Sequence, residues 1–166
     1  MTDTQAPETQ TPETHVHAPS ISGNEPQGDL CIRTLAMPAD TNANGDIFGG
    51  WVLSQMDQAG GIAGVDRAQG RVVTVALESM TFIRPVRVGD VLCVYTRIGR
   101  VGRTSMKIHL EAWARRFQTQ FREKVTEATF TFVAIDDEGR PRPIPRRTLR
   151  GSSTRRRAAR PAIPRW

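Results

Sequence analysis

The stretch "DTNANGDIFGGWVLSQMDQAGG", Asp40 to Gly61, holds three features that could do chemistry. The first is Asp57, an acid among the apolar residues Leu53, Met56 and Ala59 on what reads as a helix, where it is expected to be buried. A carboxylate in that setting can serve as general base or as nucleophile. It can equally be a structural acid paired with a basic residue such as Arg71. The second is the helix start at Phe48–Gly49–Gly50. Its first N–H groups have no intrahelical partner and lie at the positive end of the helix dipole. Gly49 has no side chain, so a ligand oxygen can approach its N–H; the plainer alternative is a permissive helix entry. The third is Asn42, whose amide both donates and accepts, with Asn44 as a second candidate. Turn formation is the alternative for both.

A base, a donor and an orienting amide need a scaffold. The run "DLCIRTLAM", 29–37, reads as a strand closed by Pro38. A loop leads to Phe48, and a helix runs from there to about Arg67. Only strand patterns follow: "RVVTVALESM", then "VRVGDVLCVYTRIG" with its turn, then "RTSMKIHLEAWARR". In the last, Thr104, Met106, Ile108, Leu110 and Ala112 alternate with Ser105, Lys107, His109, Glu111 and Trp113, which predicts a half-exposed antiparallel strand. "KVTEATFTFVAID" puts Ala128, Phe130, Phe132 and Ala134 on one face, and "DDEGRP" is a turn. No crossover helices alternate with these strands, so the class is α+β: one long helix covered by one antiparallel sheet. Each mid-helix glycine costs roughly 1 kcal/mol relative to alanine. Gly60, Gly61 and Gly64, with Ala63, are therefore expected to let a curved sheet approach the helix backbone.

The ends of the chain differ from this middle. Residues 1–27 are rich in Thr, Pro, Glu and Gln and are expected to be a disordered leader; His15 and His17 lie in it and are read as part of that leader rather than as a metal site. From Gly139 to Trp166 there are ten arginines and no acid. Taking those ten from the net charge of +6 leaves about −4 for residues 1–138, an ordinary acidic globule. Residues 140–166 mix Pro and Arg; their early part is expected to lie along the domain as an extended arm, and residues 146–166 are read as a disordered Arg/Pro-rich tail. The arginines have no aromatic platform beyond Trp166 and the chain shows no helix-turn-helix pattern, so nucleic acid is not the expected partner. No apolar run reaches the roughly 18 residues of a membrane span. No basic start followed by an apolar stretch marks a secretory signal. Cys31 and Cys93 follow no metal or disulfide spacing, which suits the reducing cytoplasm.

The segments "LAMPADTNANGDIFGGWVLSQMDQAGGI", "GRVVTVALESMTFIRPVRVGD" and "GRTSMKI", in this order, resemble the bacterial YciA-type acyl-CoA thioesterases. The likeness covers about residues 28–145, the whole expected domain. It implies the hotdog fold, a long central helix wrapped by a curved antiparallel sheet. It also implies hydrolysis of acyl-CoA to free acid and CoA, no metal or bound cofactor, and dimers that assemble as a trimer of dimers.

The resemblance places the acyl carbonyl at Gly49, makes Asp57 the base or nucleophile, and matches Asn42 to the family's loop amide. Gly49 and Asp57 are eight positions apart, about 12 Å along one helix. One carbonyl cannot touch both, so Gly49 of one subunit is expected to work with Asp57 of another. Arg84 in "FIRP" and Arg103, Thr104 and Ser105 in "GRTS" are candidates for the CoA phosphates and pantetheine arm. Two other functions stand beside hydrolysis. A hotdog enoyl-CoA hydratase would pair an aspartate with a histidine, but His109, the domain's one histidine, falls on the polar face of a strand. A non-catalytic acyl-CoA-sensing module could dispense with Asp57.

Overall fold

The computed structural model describes residues 25–146 except positions 79, 118 and 120. Nearly all of the leader and the tail lie outside the described residues. The elements are β1 (Asp29–Leu35), a 3-10 turn (Pro38–Asp40), α1 (Gly49–Ala68), β2 (Val72–Glu78), β3 (Val91–Val101), β4 (Ser105–Arg115) and β5 (Arg122–Ala134). The strands form one antiparallel sheet in the order β1-β3-β4-β5-β2. Helix α1 touches all five strands. Five strands span about 20 Å, roughly twice the width of a helix, so the sheet must wrap α1 to do this.

The glycines of α1 divide into two groups. A Cβ on Gly60 would lie 2.6 Å from the Phe132 ring, and one on Gly64 3.1 Å from Val72. These two let the sheet close on the helix. Gly61 does not share this role, because a Cβ there would meet nothing within 4 Å. Phe132 stacks on Phe130 with ring centres 6.3 Å apart, and both are buried with Met56, Leu92, Ile108 and Leu110. Gly60→Val should therefore lower stability by about 2 kcal/mol through overpacking against Phe132. Chemical denaturation checks this; an unchanged midpoint would mean that the ring has room to move.

The end of α1 is held from outside. Gln69 takes a left-handed conformation at φ 51° and returns its N–H to Val65. The Arg142 guanidinium donates to the Ala68 carbonyl at 3.0 Å and to the Ile135 carbonyl at 3.1 Å. The chain after β5 thus runs back over the end of α1. Ile144 is buried, and its N–H donates to the Arg103 carbonyl at 2.8 Å.

Strand β4 departs from the expected half-exposed pattern. Glu111 is 2% and Trp113 4% exposed, although both point away from the helix. The register jumps between Ala112 and Trp113, whose partners are Thr126 and Lys124, so Val125 is an extra residue in β5. The bulge puts Lys124 beside Trp113 and Glu111 on the outer face. Lys124 Nζ lies 3.1 Å from Glu111 and 2.7 Å from Glu127, and Trp113 Nε1 donates to Glu111 at 2.8 Å. Burial pushes the Glu111 carboxyl up, but hydrogen bonds from His109, Trp113, the Gln27 N–H and Lys124 outweigh it and hold the carboxyl at about 2.

Candidate active site

The loop before α1 is tied by its own polar groups. Asn42 Oδ1 accepts from the N–H groups of Asn44 (2.9 Å) and Asp46 (3.2 Å), and the Asn42 N–H donates to the Asp46 carbonyl at 2.8 Å. Gly45, at φ +84°, allows this tight return. The turn alternative for Asn42 is thus realised, and it leaves a definite chemistry. Two backbone donors fix which end is oxygen, so the amide NH2 is the end that can serve a ligand. Asn44 is exposed and contributes its backbone N–H to this turn.

The loop delivers the start of α1. Phe48 donates its N–H to the Asp40 carbonyl at 3.0 Å, and its own carbonyl accepts from Trp51 and Val52. Gly49 and Gly50 therefore precede the first intrahelical bond, and no side chain caps them. Their N–H groups remain as donors at the positive end of a 20-residue helix. Gly49 borders a cavity of about 390 Å³, lined also by Ile47, Val52, Phe82, Val86 and Val125. The Phe82 ring covers one side, 3.2 Å from where a Gly49 Cβ would stand. The β5 bulge builds this wall. The carbonyl of the extra residue, Val125, accepts from the N–H groups of Ile83 (2.8 Å) and Arg84 (3.4 Å), which draws the 80–86 loop against the helix start.

Asp57 is exposed in the single chain, which corrects the expected burial. It stands on the outward stripe of α1 with Gly50, Leu53 and Gly61, at helical spacing. Its partner is not Arg71, which bonds the carbonyls of Asp136 and Asp137 at 3.2 Å. Instead Thr74 Oγ1 donates to Asp57 Oδ1 at 2.5 Å. Thr74 pairs with the inward-facing Phe132 just before a bulge at Val75, so its hydroxyl turns toward the helix. Sequence reading missed Thr74 and Phe82. A threonine in an apolar strand carries no signal of its own, and the bulge that fixes its face is invisible to a period-two count.

The candidates for CoA contacts fall at opposite ends of β5. Arg84 donates to the Lys124 carbonyl at 3.3 Å and lies 3.8 Å from Glu123, at the rim of the Gly49 cavity. The Arg103–Thr104–Ser105 turn sits by Ala134, which donates its N–H to the Thr104 carbonyl at 2.8 Å. Ten residues of β5 separate the two, roughly 30 Å. One chain thus carries two half-sets: Asn42, Gly49 and Arg84 at one end, and Asp57 and Thr74 at the end that holds Arg103, Thr104 and Ser105.

His109, Glu111 and Glu127 bring potential metal-ligand atoms within 4.8 Å of one another. Lys124 Nζ already sits between the two carboxylates and fills the place a cation would take. His109 faces away from α1 with this group, with Nδ1 3.5 Å from Thr129 Oγ1. The Asp–His pair of the hydratase reading is therefore not assembled within one chain.

The thioesterase superfamily matches residues 44–116. The acyl-CoA thioester hydrolase YciA of Escherichia coli (strain K12) is 57% identical over 129 residues, covering 76% of this chain and 98% of that protein. The chain belongs to the YciA family of acyl-CoA thioester hydrolases. Membership makes it a thioester hydrolase. Solved members of the wider group share its fold. A hexameric broad specificity acyl-coenzyme A thioesterase is 55% identical, with a TM-score of 0.72 over 75% of this chain and 86% of its own. The hexameric thioesterase of Yersinia pestis is 56% identical, with a TM-score of 0.71 over 74% of this chain and 99% of its own. The first of these has also been solved with an aspartate replaced by alanine. The arrangement of one long helix in one antiparallel sheet is the hotdog fold named for a hexameric thioesterase of Campylobacter jejuni, 39% identical. Among the described residues no helix is long and apolar enough to cross a membrane.

Proposed function

We propose that this chain hydrolyses acyl-CoA to free acid and CoA at sites shared by two copies. One copy supplies the Gly49 N–H and the Asn42 amide NH2; the other supplies Asp57, oriented by Thr74. The observation that carries this reading is the division of the candidate groups into two half-sets, with a bare helix start against an apolar cavity in one and a hydroxyl-held carboxylate in the other. A two-fold axis that sets antiparallel helices side by side brings unlike halves together twice.

The surface of one copy suits this partner. Strand β2 is a sheet edge, and Val73, Val75 and Leu77 on it are 40%, 54% and 41% exposed. An apolar edge of this kind is ready to pair with a second edge. Beside it, the helix stripe of Gly50, Leu53, Asp57 and Gly61 is open, and the glycines leave room for a close neighbour. The same pairing would cover Asp57. Two solved relatives are hexameric, and a trimer of such dimers is proposed for this chain. Cys31 and Cys93 are both free thiols, which suits a cytoplasmic protein.

In the reaction, the thioester carbonyl oxygen accepts from the Gly49 N–H and gains that bond's full strength as it becomes an oxyanion. Asp57 takes a proton from water as the water attacks the carbonyl carbon. The tetrahedral species then expels the CoA thiolate, which collects a proton. In the other route Asp57 attacks the carbon itself, the C–S bond breaks to release the CoA thiolate, which takes a proton, and water hydrolyses the resulting mixed anhydride to free acid and the Asp57 carboxylate. Arg84, Arg103, Thr104 and Ser105 are proposed to hold the phosphates and the pantetheine arm.

The decisive assay is thiol release from a panel of saturated acyl-CoAs. Stoichiometric free CoA and free acid, formed with turnover, are expected. Hydration of an enoyl-CoA without thiol release would favour the hydratase. Tight binding without turnover would favour the sensing module.

A further inference from the structure

The geometry points to the cavity behind Gly49 as the chamber for the acyl chain, and to Phe82 as the residue that decides which chains fit. This rests on the thioester-hydrolase reading, because the chamber gains its meaning from the carbonyl held at Gly49. The lining beyond Gly49 is mostly aliphatic, from Ile47, Val52, Ile83, Val86 and Val125, with Pro85 and Arg84 beside them, and the ring of Phe82 closes one side. A chain whose carbonyl oxygen meets the Gly49 N–H can enter this mostly apolar space, with Arg84 left at its rim.

The volume sets a scale. At about 30 Å³ per methylene, near a water's share of its liquid, a space of about 390 Å³ has room for roughly 13 carbons. Each added methylene that finds room should raise kcat/KM about fourfold, and the gain should stop at the far wall.

Phe82 is the wall that can be changed without opening the core. Ile47, Val52, Val86 and Val125 are at most 8% exposed and belong to the packed interior, whereas Phe82 is 48% exposed. The backbone beside it is pinned by the Ile83 and Arg84 bonds to Val125, so the loop keeps its place when the ring is altered. The ring also covers Gly49, so it borders both the chamber and the helix start.

The test compares kcat/KM across short, medium and long saturated acyl-CoAs for the wild-type protein, Phe82→Ala, Phe82→Leu and Phe82→Trp. Oligomeric state and melting temperature are measured for each. Phe82→Ala should move the preferred chain to longer lengths and raise the long-to-short ratio at least about tenfold. Phe82→Leu should fall between Ala and wild type. Phe82→Trp should lower the ratio. Wild-type ratios in all three folded variants, beside an active wild-type protein, would overturn the chamber and leave the hydrolase standing. An inactive wild-type protein on every acyl-CoA would overturn both.

Discussion

Asp57→Asn is expected to remove turnover, lowering kcat by about 10²–10⁴-fold, while substrate still binds. The substitution keeps the shape of the side chain. An asparagine oxygen can still accept from the Thr74 hydroxyl, which holds Asp57 at 2.5 Å, so the geometry survives. The loss is of charge and basicity, which either route needs. A general base must accept the water proton, and a nucleophile must carry a lone pair activated by charge. Single-turnover assays give the rate, and calorimetry with a non-hydrolysable acyl-CoA analogue gives the affinity. A variant that keeps more than about a tenth of the wild-type kcat would show that Asp57 is neither base nor nucleophile.

Mixing two inactive variants is expected to restore activity. Gly49→Pro deletes the proposed oxyanion donor, and the local backbone suits it. Gly49 is the first helical residue, where proline is favoured because that N–H has no intrahelical partner. Phe48 before it sits at φ −57°, ψ 131°, an extended conformation compatible with a following proline. A Cβ at this position needs the Phe82 ring to give way by a few tenths of an ångström. A heterodimer of Gly49→Pro and Asp57→Asn subunits holds one site with both lesions and one with neither. After unfolding and co-refolding at equal concentrations, half of the dimers should be mixed and about a quarter of wild-type activity should return. Activity no higher than either parent, in samples where mass spectrometry shows mixed dimers, would refute the shared site. It would place the donor and the carboxylate in one chain, against the roughly 12 Å that a rigid helix keeps between them.

The order of elements was legible in the sequence, and so were the candidate residues Asn42, Gly49 and Asp57. Period-two alternation in "RTSMKIHLEAWARR" and "KVTEATFTFVAID" located β4 and β5 with their core faces, because a strand's side chains obey a local rule. The helix was legible from about Phe48 to Arg67 and spans Gly49–Ala68. The free N–H groups at Gly49 also followed locally, since every helix leaves its first donors open. Helical rise sets Gly49 and Asp57 about 12 Å apart, which is why the sequence already pointed to the second copy proposed above.

Tertiary structure decided what depends on distant partners. The extra residue Val125 cannot be seen in a single strand, because a bulge is defined by the strand beside it. Yet it draws the Phe82–Arg84 loop to the helix start and sets Lys124 against Glu111. A second bulge, at Val75, turns Thr74 toward Asp57 across 17 residues of chain. Gly60 and Gly64 differ from Gly61 only in facing the sheet, which the wrapped strands determine. Asp57 was expected to be buried because its sequence neighbours are apolar. It is exposed because burial belongs to the surface a residue faces, and Asp57 faces the open stripe proposed to receive a second copy.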